Sequence, residues 1–363
     1  MNLAELPRNQ SIICIYGAGA VGLAVAADAL LAGPRVAQSA ASEGIQNTEI
    51  IYLTARNQLK SFSVTSPPAG IRFEHPISCG RVGDLSRILD GHVQNALPTG
   101  HNVPVHRSLQ IQIVITTPPH HMDKAVNEIL DWVTAKGETV TQKDLLIQML
   151  VLCNGLLEPT TWERAICTNK VIPNFSTVRC IVVAGFAKEM NEGGERALVT
   201  HTAGREIHWG AIGGPSQIMP PALHGPLFDL IHHSNIRNLE LQKFFTNAVL
   251  GWWIGNNPKN NDALTSILNQ AQALVLASEF CQAFEGAGSA EELCKFLWHT
   301  VHTTAANVNS VSAAWCRGDR GLADYFRDTI EKRLRSSHRF VGESGSSWLR
   351  QFDTTHHSMR VRE

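Results

Sequence analysis

The residues best placed to do chemistry are three glycines, Gly17, Gly19 and Gly22, in "GAGAVG". The spacing G-x-G-x-x-G meets what a dinucleotide pyrophosphate asks of a strand-to-helix turn. The first glycine allows the tight turn, the second lets the backbone approach the phosphates, and the third lets helix and strand pack closely. The N-terminus of the following helix then faces the anion. Alone the spacing is a weak signal, since a glycine-rich bend between a strand and a helix would carry it too. Here it sits inside a βαβ pattern: "SIICIYG" before it, the helical run "AVGLAVAADALLAG" after it, and a second strand, "TEIIYLTAR". The expected phosphate cradle is Gly17, Ala18, Gly19, Ala20, Val21 and Gly22.

A second group bears on which dinucleotide is held. The second strand ends "LTARNQ", with no carboxylate to accept a ribose 2′-hydroxyl. Arg56 is a permanent cation whose planar donor fork suits a 2′-phosphate. The alternative for it is a solvated loop arginine. Its place at the strand end makes NADP(H) the expected cofactor.

Positioning these groups takes an alternating fold. The first helical run is expected to close at Gly33-Pro34, and "VAQSAASEGIQN" reads as a loop insertion. "IQIVITTPP" and "DLLIQMLVLCNG" read as further strands, with "HMDKAVNEILDWV" a helix between them. Strands interleaved with helices imply a mostly parallel sheet covered on both faces. "TVRCIVVAGFAKEM" and "ALVTHTAGREIHWGAIGG" read as β segments that could pair antiparallel, and a proline-rich joint follows. Beyond it come helices. In "NPKNNDALTSILNQAQALVLASEFCQAFEGAG" the residues Leu264, Ile267, Leu268, Ala271, Leu274 and Val275 recur at helical steps, and "SAEELCKFLWHTVHTTAANV" starts with glutamates in its first turn. The expectation is an α/β, Rossmann-type domain over 1–215, a linker over 216–235, an all-helical domain over 236–335, and a polar, loosely docked extension over 336–363. The active site is expected in the cleft between the domains.

Bulk properties exclude other classes. The chain has 363 residues, 44% of them hydrophobic and 17% charged, with a formal net charge of −1. That balance gives no electrostatic argument for nucleic acid or an anionic membrane as partner. No run reaches the ~20 apolar residues of a membrane span, and "MNLAELPRNQ" does not read as a leader. The eight cysteines form no C-x-x-C pair and read as buried, reduced thiols, so a cytoplasmic location is expected. His120-His121, His232-His233 and His299/His302 lack companion ligands at metal spacing and read as surface or capping residues, with no metal expected. Trp252-Trp253 reads as packing.

These stretches, in this order over roughly residues 11–335, resemble the ketopantoate reductases (2-dehydropantoate 2-reductases). "IYGAGAVG" is similar to the family's fingerprint, "IIYLTAR" to its second strand with the NADP-selective arginine, and "VLCNGL" to its N-G turn. "HTAGREIHWGAIGG" resembles its β segment before the helices, and "KFFTNAVLGWW" the first helix of that domain, which carries K-x-x-x-N. "ASEFCQAFEGAG" and "NVNSVSAAWCRGDRGLADYF" resemble its next helix and its serine segment with a D-Y pair.

The resemblance implies NADPH-dependent reduction of the 2-oxo acid ketopantoate to pantoate, a step of pantothenate biosynthesis, in a possible homodimer. It makes Lys243 the catalytic lysine, with Asn247 one turn later on the same helix face. It places Asn154 beside the nicotinamide and substrate, Asn307 and Ser310 at the substrate's carboxylate and hydroxyl end, and Glu279 in a packing or capping role. Four positions depart from the family. Pro118 stands where it has a lysine, Leu322 where it has a glutamate, Ala314 where it has an aspartate, and Gly251 where it often has a second asparagine. Asp319 and Asp324 are the candidate substitutes for the missing carboxylate, although their spacing argues against a simple replacement. A different, more apolar substrate, or NADP(H) binding without turnover, are the readings those departures leave open.

Overall fold

The structure is a computed structural model. It describes residues 9–40, 45–54, 59–81, 84–96, 109–136, 145–152, 154–168, 171–178, 184–191, 194–201, 204–211, 225–253, 269–305, 310–311, 314, 318–337, 346–348 and 350. The chain forms two compact units. One comprises Met1–Thr117, His121–Cys153 and Leu157–Ser234, and the other Pro118–His120, Asn154–Leu156 and Asn235–Glu363.

The first unit is built on a sheet of parallel strands. Strand β1 (Asn9–Tyr16) is followed by helix α1 (Ala20–Ala40), strand β2 (Ile45–Thr54), a hairpin of β3 (Leu59–Ser66) and β4 (Ile71–Pro76), and the short β5 (Cys79–Arg81). Then come α2 (Leu85–Ala96), β6 (Leu109–Ile115), α3 (Met122–Lys136), β7 (Leu145–Val151), α4 (Pro159–Cys167) and β8 (Val171–Val178). Strands β9 (Ala184–Asn191), β10 (Gly194–His201), β11 (Glu206–Ala211) and β12 (Asp229–His232) complete it. The main sheet runs β12-β11-β8-β7-β6-β1-β2-β5, parallel from β8 to β5. Counted among the parallel strands, β5-β2-β1-β6-β7-β8 is the dinucleotide-binding order 3-2-1-4-5-6. The order reverses between β1 and β6, which puts the Gly17 turn at the switch point.

Burial explains why the strands were readable. Ile12 to Tyr16 are all at most 3% exposed. Ile12, Cys14 and Tyr16 enter one core cluster, and Ile13 and Ile15 another, as in a strand covered on both faces. A second sheet, β4-β3-β10-β9, was only partly anticipated. The two late β segments each supply strands to both sheets, and the expected antiparallel pairing is that of β9 with β10 and β8 with β11. Helix α1 packs against strands of both sheets, and Leu23 through Ala27 are each 0% exposed. A helix wrapped this way is apolar all round, which accounts for its alanines.

Helix α1 does not stop at Gly33-Pro34 but runs on to Ala40, so the expected loop is partly helix. A proline withdraws one N–H and crowds one carbonyl, which interrupts the ladder locally without ending the helix. Asp28 is a fully buried polar residue of α1. Its carboxylate accepts backbone N–H bonds from Gly225 (3.0 Å), Leu227 (2.7 Å) and Phe228 (3.2 Å). Within the stretch expected as a linker, β12 pairs in parallel with β11.

The second unit is helical: α5 (Ile236–Trp253), α6 (Gln270–Ala283), α7 (Ala290–Thr303) and α8 (Gly321–Ser336). Capping boxes start α6 (Asn269/Gln272) and α7 (Ser289/Glu292). Phe244, Phe245, Phe280, Phe284, Phe326 and Trp348 dominate its core. The register of α6 differs from expectation. Ala273, Leu276, Ala277 and Phe280 are buried, while Leu274 and Val275 are 41% and 47% exposed. The aliphatic spacing competed with a second stripe carrying an aromatic ring, and the larger side chain took the core. Leu264, Ile267 and Leu268 lie outside the described residues.

The C-terminal extension is anchored where it is described. Trp348 is 2% exposed, and its indole N–H donates to the Leu276 carbonyl at 2.9 Å. Glu279 accepts from the Ser346 hydroxyl (3.0 Å) and from the backbone N–H groups of Ser347 (2.8 Å) and Trp348 (3.3 Å). Ser347, Trp348 and Arg350 are helical, so Glu279 caps the start of a helical turn in the tail, and this described part of the extension is docked rather than loose.

Candidate functional site

The glycine turn in the first unit is fixed by its neighbours. Gly17 has φ +109°, a region that favours glycine, and its N–H donates to the Leu53 carbonyl at 2.9 Å. A Cβ on Gly17 would lie 3.0 Å from the Thr116 carbonyl carbon and Oγ1. One on Gly22 would meet the Gly17 oxygen at 2.1 Å and Thr116 Oγ1 at 2.7 Å. The Thr116 hydroxyl closes the turn by donating to the Gly17 carbonyl at 2.5 Å. Sequence reasoning missed Thr116, which only its place at the end of β6 could have signalled.

Gly19 is the exception. A Cβ there would meet nothing within 4 Å. The space is open on the side where the second glycine of such a turn meets phosphate. The first helical bond shown at this end runs from the Leu23 N–H to the Gly19 carbonyl at 2.9 Å. The N–H groups of Ala20, Val21 and Gly22 therefore belong to the helix end that needs outside acceptors. Ala18 is buried, and Ala20 and Val21 are half-buried. The turn fits a dinucleotide pyrophosphate. Arg56 lies outside the described residues, two positions past the end of β2.

The second unit carries the other candidates. Lys243 and Asn247 are half-buried on α5, an i, i+4 pair, and Gly251 continues the same face. Among the described residues the Asn247 Nδ2, although buried, has no hydrogen-bond partner. A buried amide donor left unpaired is costly, and here it lies one turn from an ammonium. Gly251 has its own steric reason: a Cβ would lie 2.5 Å from Val311 Cγ2. An asparagine cannot stand there while α5 and Val311 stay this close. Ser310, next to Val311, is exposed, and Asn307 lies outside the described residues.

Asn154 is half-buried in a bend that groups with the helical unit. The bend is held by Tyr325, whose hydroxyl accepts from the Leu156 N–H (2.7 Å) and donates to the Leu156 carbonyl (2.9 Å). A Cβ on Gly155 would sit 2.7 Å from both the Tyr325 hydroxyl and Pro119 Cβ. The glycine after Asn154 thus serves close approach rather than a left-handed turn. Tyr325 also meets the Phe244 ring edge-on at 6.3 Å between centroids. Phe244 adjoins Lys243, so this tyrosine joins the Asn154 bend to α5.

The departures differ in their surroundings. Leu322 (9% exposed) and Ala314 (4%) lie in the helical core. Asp319 accepts from the Gly321 N–H at 3.1 Å and Asp324 pairs with Arg327 at 3.5 Å. Pro118 is exposed. Elsewhere, burial pushes the Cys14 thiol up to about 12, which makes it a poor nucleophile. His233 is a partner of buried His208 (2.6 Å between ring nitrogens), whose other nitrogen meets Glu206 at 3.0 Å. The side chains of Trp252 and Trp253 lie outside the described residues.

The strand order, the glycine turn at its switch point and the helical second unit define a Rossmann-type dinucleotide-binding fold with a helical C-terminal domain. Solved structures of 2-dehydropantoate 2-reductases share it over nearly the whole chain. The enzyme of Geobacter metallireducens matches at TM-score 0.57 and 13% identity, covering 96% of this chain and 99% of its own. That of Methylococcus capsulatus matches at 0.53 and 12%, covering 97% and 96%. A D-mandelate dehydrogenase, solved with NADH and anilino(oxo)acetate, matches at 0.58 and 12%, covering 96% and 99%. No family model matches the chain, and no curated protein does.

Proposed function

We propose that the chain is an NADPH-dependent reductase of the ketopantoate reductase type, converting 2-dehydropantoate to pantoate or reducing a related branched 2-oxo acid. The observation that carries this reading is the α5 face, with Lys243 beside an Asn247 Nδ2 that has no partner among the described residues, in one unit with the Asn154 bend. A chain-length likeness to 2-oxo acid reductases supports it.

Bound NADPH supplies the hydride for the ketone carbon. The Gly17–Gly22 turn holds the pyrophosphate through backbone N–H groups, and Arg56 takes the 2′-phosphate. Lys243 stabilises the developing alkoxide and gives its Nζ proton to that oxygen. Asn247 donates from Nδ2 to the substrate, and Asn154 hydrogen-bonds substrate or orients Lys243 beside the nicotinamide. Asn307 and Ser310 hold the carboxylate and hydroxyl end. The protein acts in the cytoplasm, as a homodimer, within pantothenate biosynthesis.

A second reading, a more apolar 2-oxo acid as substrate, is favoured by Leu322 and Ala314 lying in the core where charged partners are implied. Mandelate, the substrate named for one fold neighbour, is an aromatic 2-hydroxy acid. Steady-state oxidation of NADPH and NADH over a panel containing ketopantoate and phenylglyoxylate separates the readings. Preference for ketopantoate with NADPH is expected, and preference for the aromatic acid selects the second reading. Dinucleotide binding without turnover on any acid leaves a non-catalytic binder, and no binding of either dinucleotide overturns all of them.

A further inference from the structure

The carboxyl end of β2 has a neighbour that the glycine fingerprint does not reveal. Edge strand β5 runs parallel to β2 in the register Tyr52↔Cys79, Leu53↔Gly80, Thr54↔Arg81. Arg81 is therefore the residue beside Thr54, where β2 ends. Leu53 in turn receives the Gly17 N–H (2.9 Å), so the glycine turn, the end of β2 and the end of β5 lie side by side along one edge of the sheet.

In this fold the adenosine ribose is recognised at the end of the second strand, by a carboxylate for a 2′-hydroxyl or an arginine for a 2′-phosphate. Residues 54–58, Thr-Ala-Arg-Asn-Gln, offer no carboxylate. Neighbouring strands lie about 4.8 Å apart, within the span of an extended arginine side chain. Arg81 is exposed. Gly80 before it packs against α2, where a Cβ would lie 2.6 Å from Ile88 Cδ1, so the backbone that presents Arg81 is held in place. A second cation, Lys60, acts on the Cys79 thiol two residues earlier, pulling it down against the burial that raises it to about 11.

Resting on the dinucleotide reading above, we infer that Arg81 is a specificity-determining residue for the 2′-phosphate of NADP(H). It supplies a guanidinium from β5 to the anion that the proposed function also gives to Arg56. A guanidinium fork on a dianion gives charge-assisted hydrogen bonds that a 2′-hydroxyl cannot replace. The inference goes beyond the fingerprint, which stops at β2.

The test uses fragments that report on the ribose end alone. Binding of 2′,5′-ADP and of 5′-AMP to the full chain is measured by calorimetry for the native protein, Arg81→Ala, Arg81→Lys and Arg56→Ala. The expected result is a native preference for 2′,5′-ADP that falls about 10- to 100-fold in Arg81→Ala. Binding of 5′-AMP should stay unchanged and Arg81→Lys should recover part of the loss. Equal weakening of both fragments, an unchanged preference in Arg81→Ala, or a native preference for NADH over NADPH overturns the inference. In each of these cases the dinucleotide site itself stands, because the fragments or NADH still bind. If the native chain binds neither fragment and neither dinucleotide, the dinucleotide reading fails first and the inference falls with it.

Discussion

The glycine turn of the first unit and the α5 stripe of the second are built from different materials. The turn is backbone. Its three glycines are fixed by a positive φ at Gly17, open space at Gly19 and a 2.1 Å approach at Gly22, and its partners are carbonyls, N–H groups and one hydroxyl. The stripe is side chain. Lys243 and Asn247 project from a helix whose backbone would be the same with other residues, and the Asn247 Nδ2 has no partner among those described. A backbone site constrains sequence sterically and so announces itself. A side-chain site can drift, as Gly251 shows by standing where Val311 leaves no room for an asparagine.

The comparison predicts separable losses. Lys243→Ala should lower kcat with the preferred 2-oxo acid about 10²- to 10⁴-fold, the range of a lost general acid. NADPH affinity, read by fluorescence titration, should hold within about twofold. Loss of affinity in parallel with turnover would show that the two regions do not divide the work in this way.

Substitutions in the turn should do the reverse, and differ from each other. Gly22→Ala forces a methyl against the Gly17 carbonyl and should cost about 3 kcal/mol of stability, at the upper end for overpacking, along with dinucleotide affinity. Gly19→Ala meets no protein atom within 4 Å, so thermal unfolding should be almost unchanged while affinity falls. If Gly19→Ala binds NADPH as the native chain does, the open space beside Gly19 is not where the phosphates sit.

The same contrast explains what could be read from the sequence. Strands β1, β2, β6 and β7 are rich in apolar residues, and the burial of their described residues on both faces leaves little ambiguity. Sheet β4-β3-β10-β9 was partly hidden, because β3 reads Leu-Lys-Ser-Phe-Ser-Val-Thr-Ser and buries serines with its Phe62 and Val64. The register of α6 was misread because two apolar stripes share the helix. Trp348 was hidden in a polar tail, since one indole and one carboxylate, Glu279, suffice to anchor it. Of the candidate site, the glycines were legible from geometry alone. Lys243, Asn247 and Asn154 were legible only through resemblance, because nothing in a helix's spacing separates a catalytic lysine from a solvated one. Tyr325, which clamps the Asn154 bend, bonds Leu156 across 169 positions of chain, a contact no local pattern encodes.

The smallest expected effect concerns a carboxyl on the stripe's own helix. Glu240 lies three residues before Lys243 on α5, and its side chain is 11% exposed. Burial pushes it up to about 7, against the pull of Arg237 at 3.5 Å. A carboxyl whose folded-state value is raised contributes stability that is complete below its unfolded value, near 4.5, and is lost as the pH rises through about 7. Asp28 in the first unit is raised less, to about 6, because three backbone N–H donors and Arg205 favour its charged form. Thermal unfolding of the native chain should therefore show stability falling from pH 5 to pH 8. Glu240→Gln should remove the upper part of that decline, worth about 1–3 kcal/mol. Below pH 6 the two groups overlap, so the decline there should become shallower in Glu240→Gln, and what remains belongs to Asp28. Parallel stability–pH curves for the two proteins would mean that Glu240 stays charged in the fold, and that burial on α5 costs its carboxylate no more than water does.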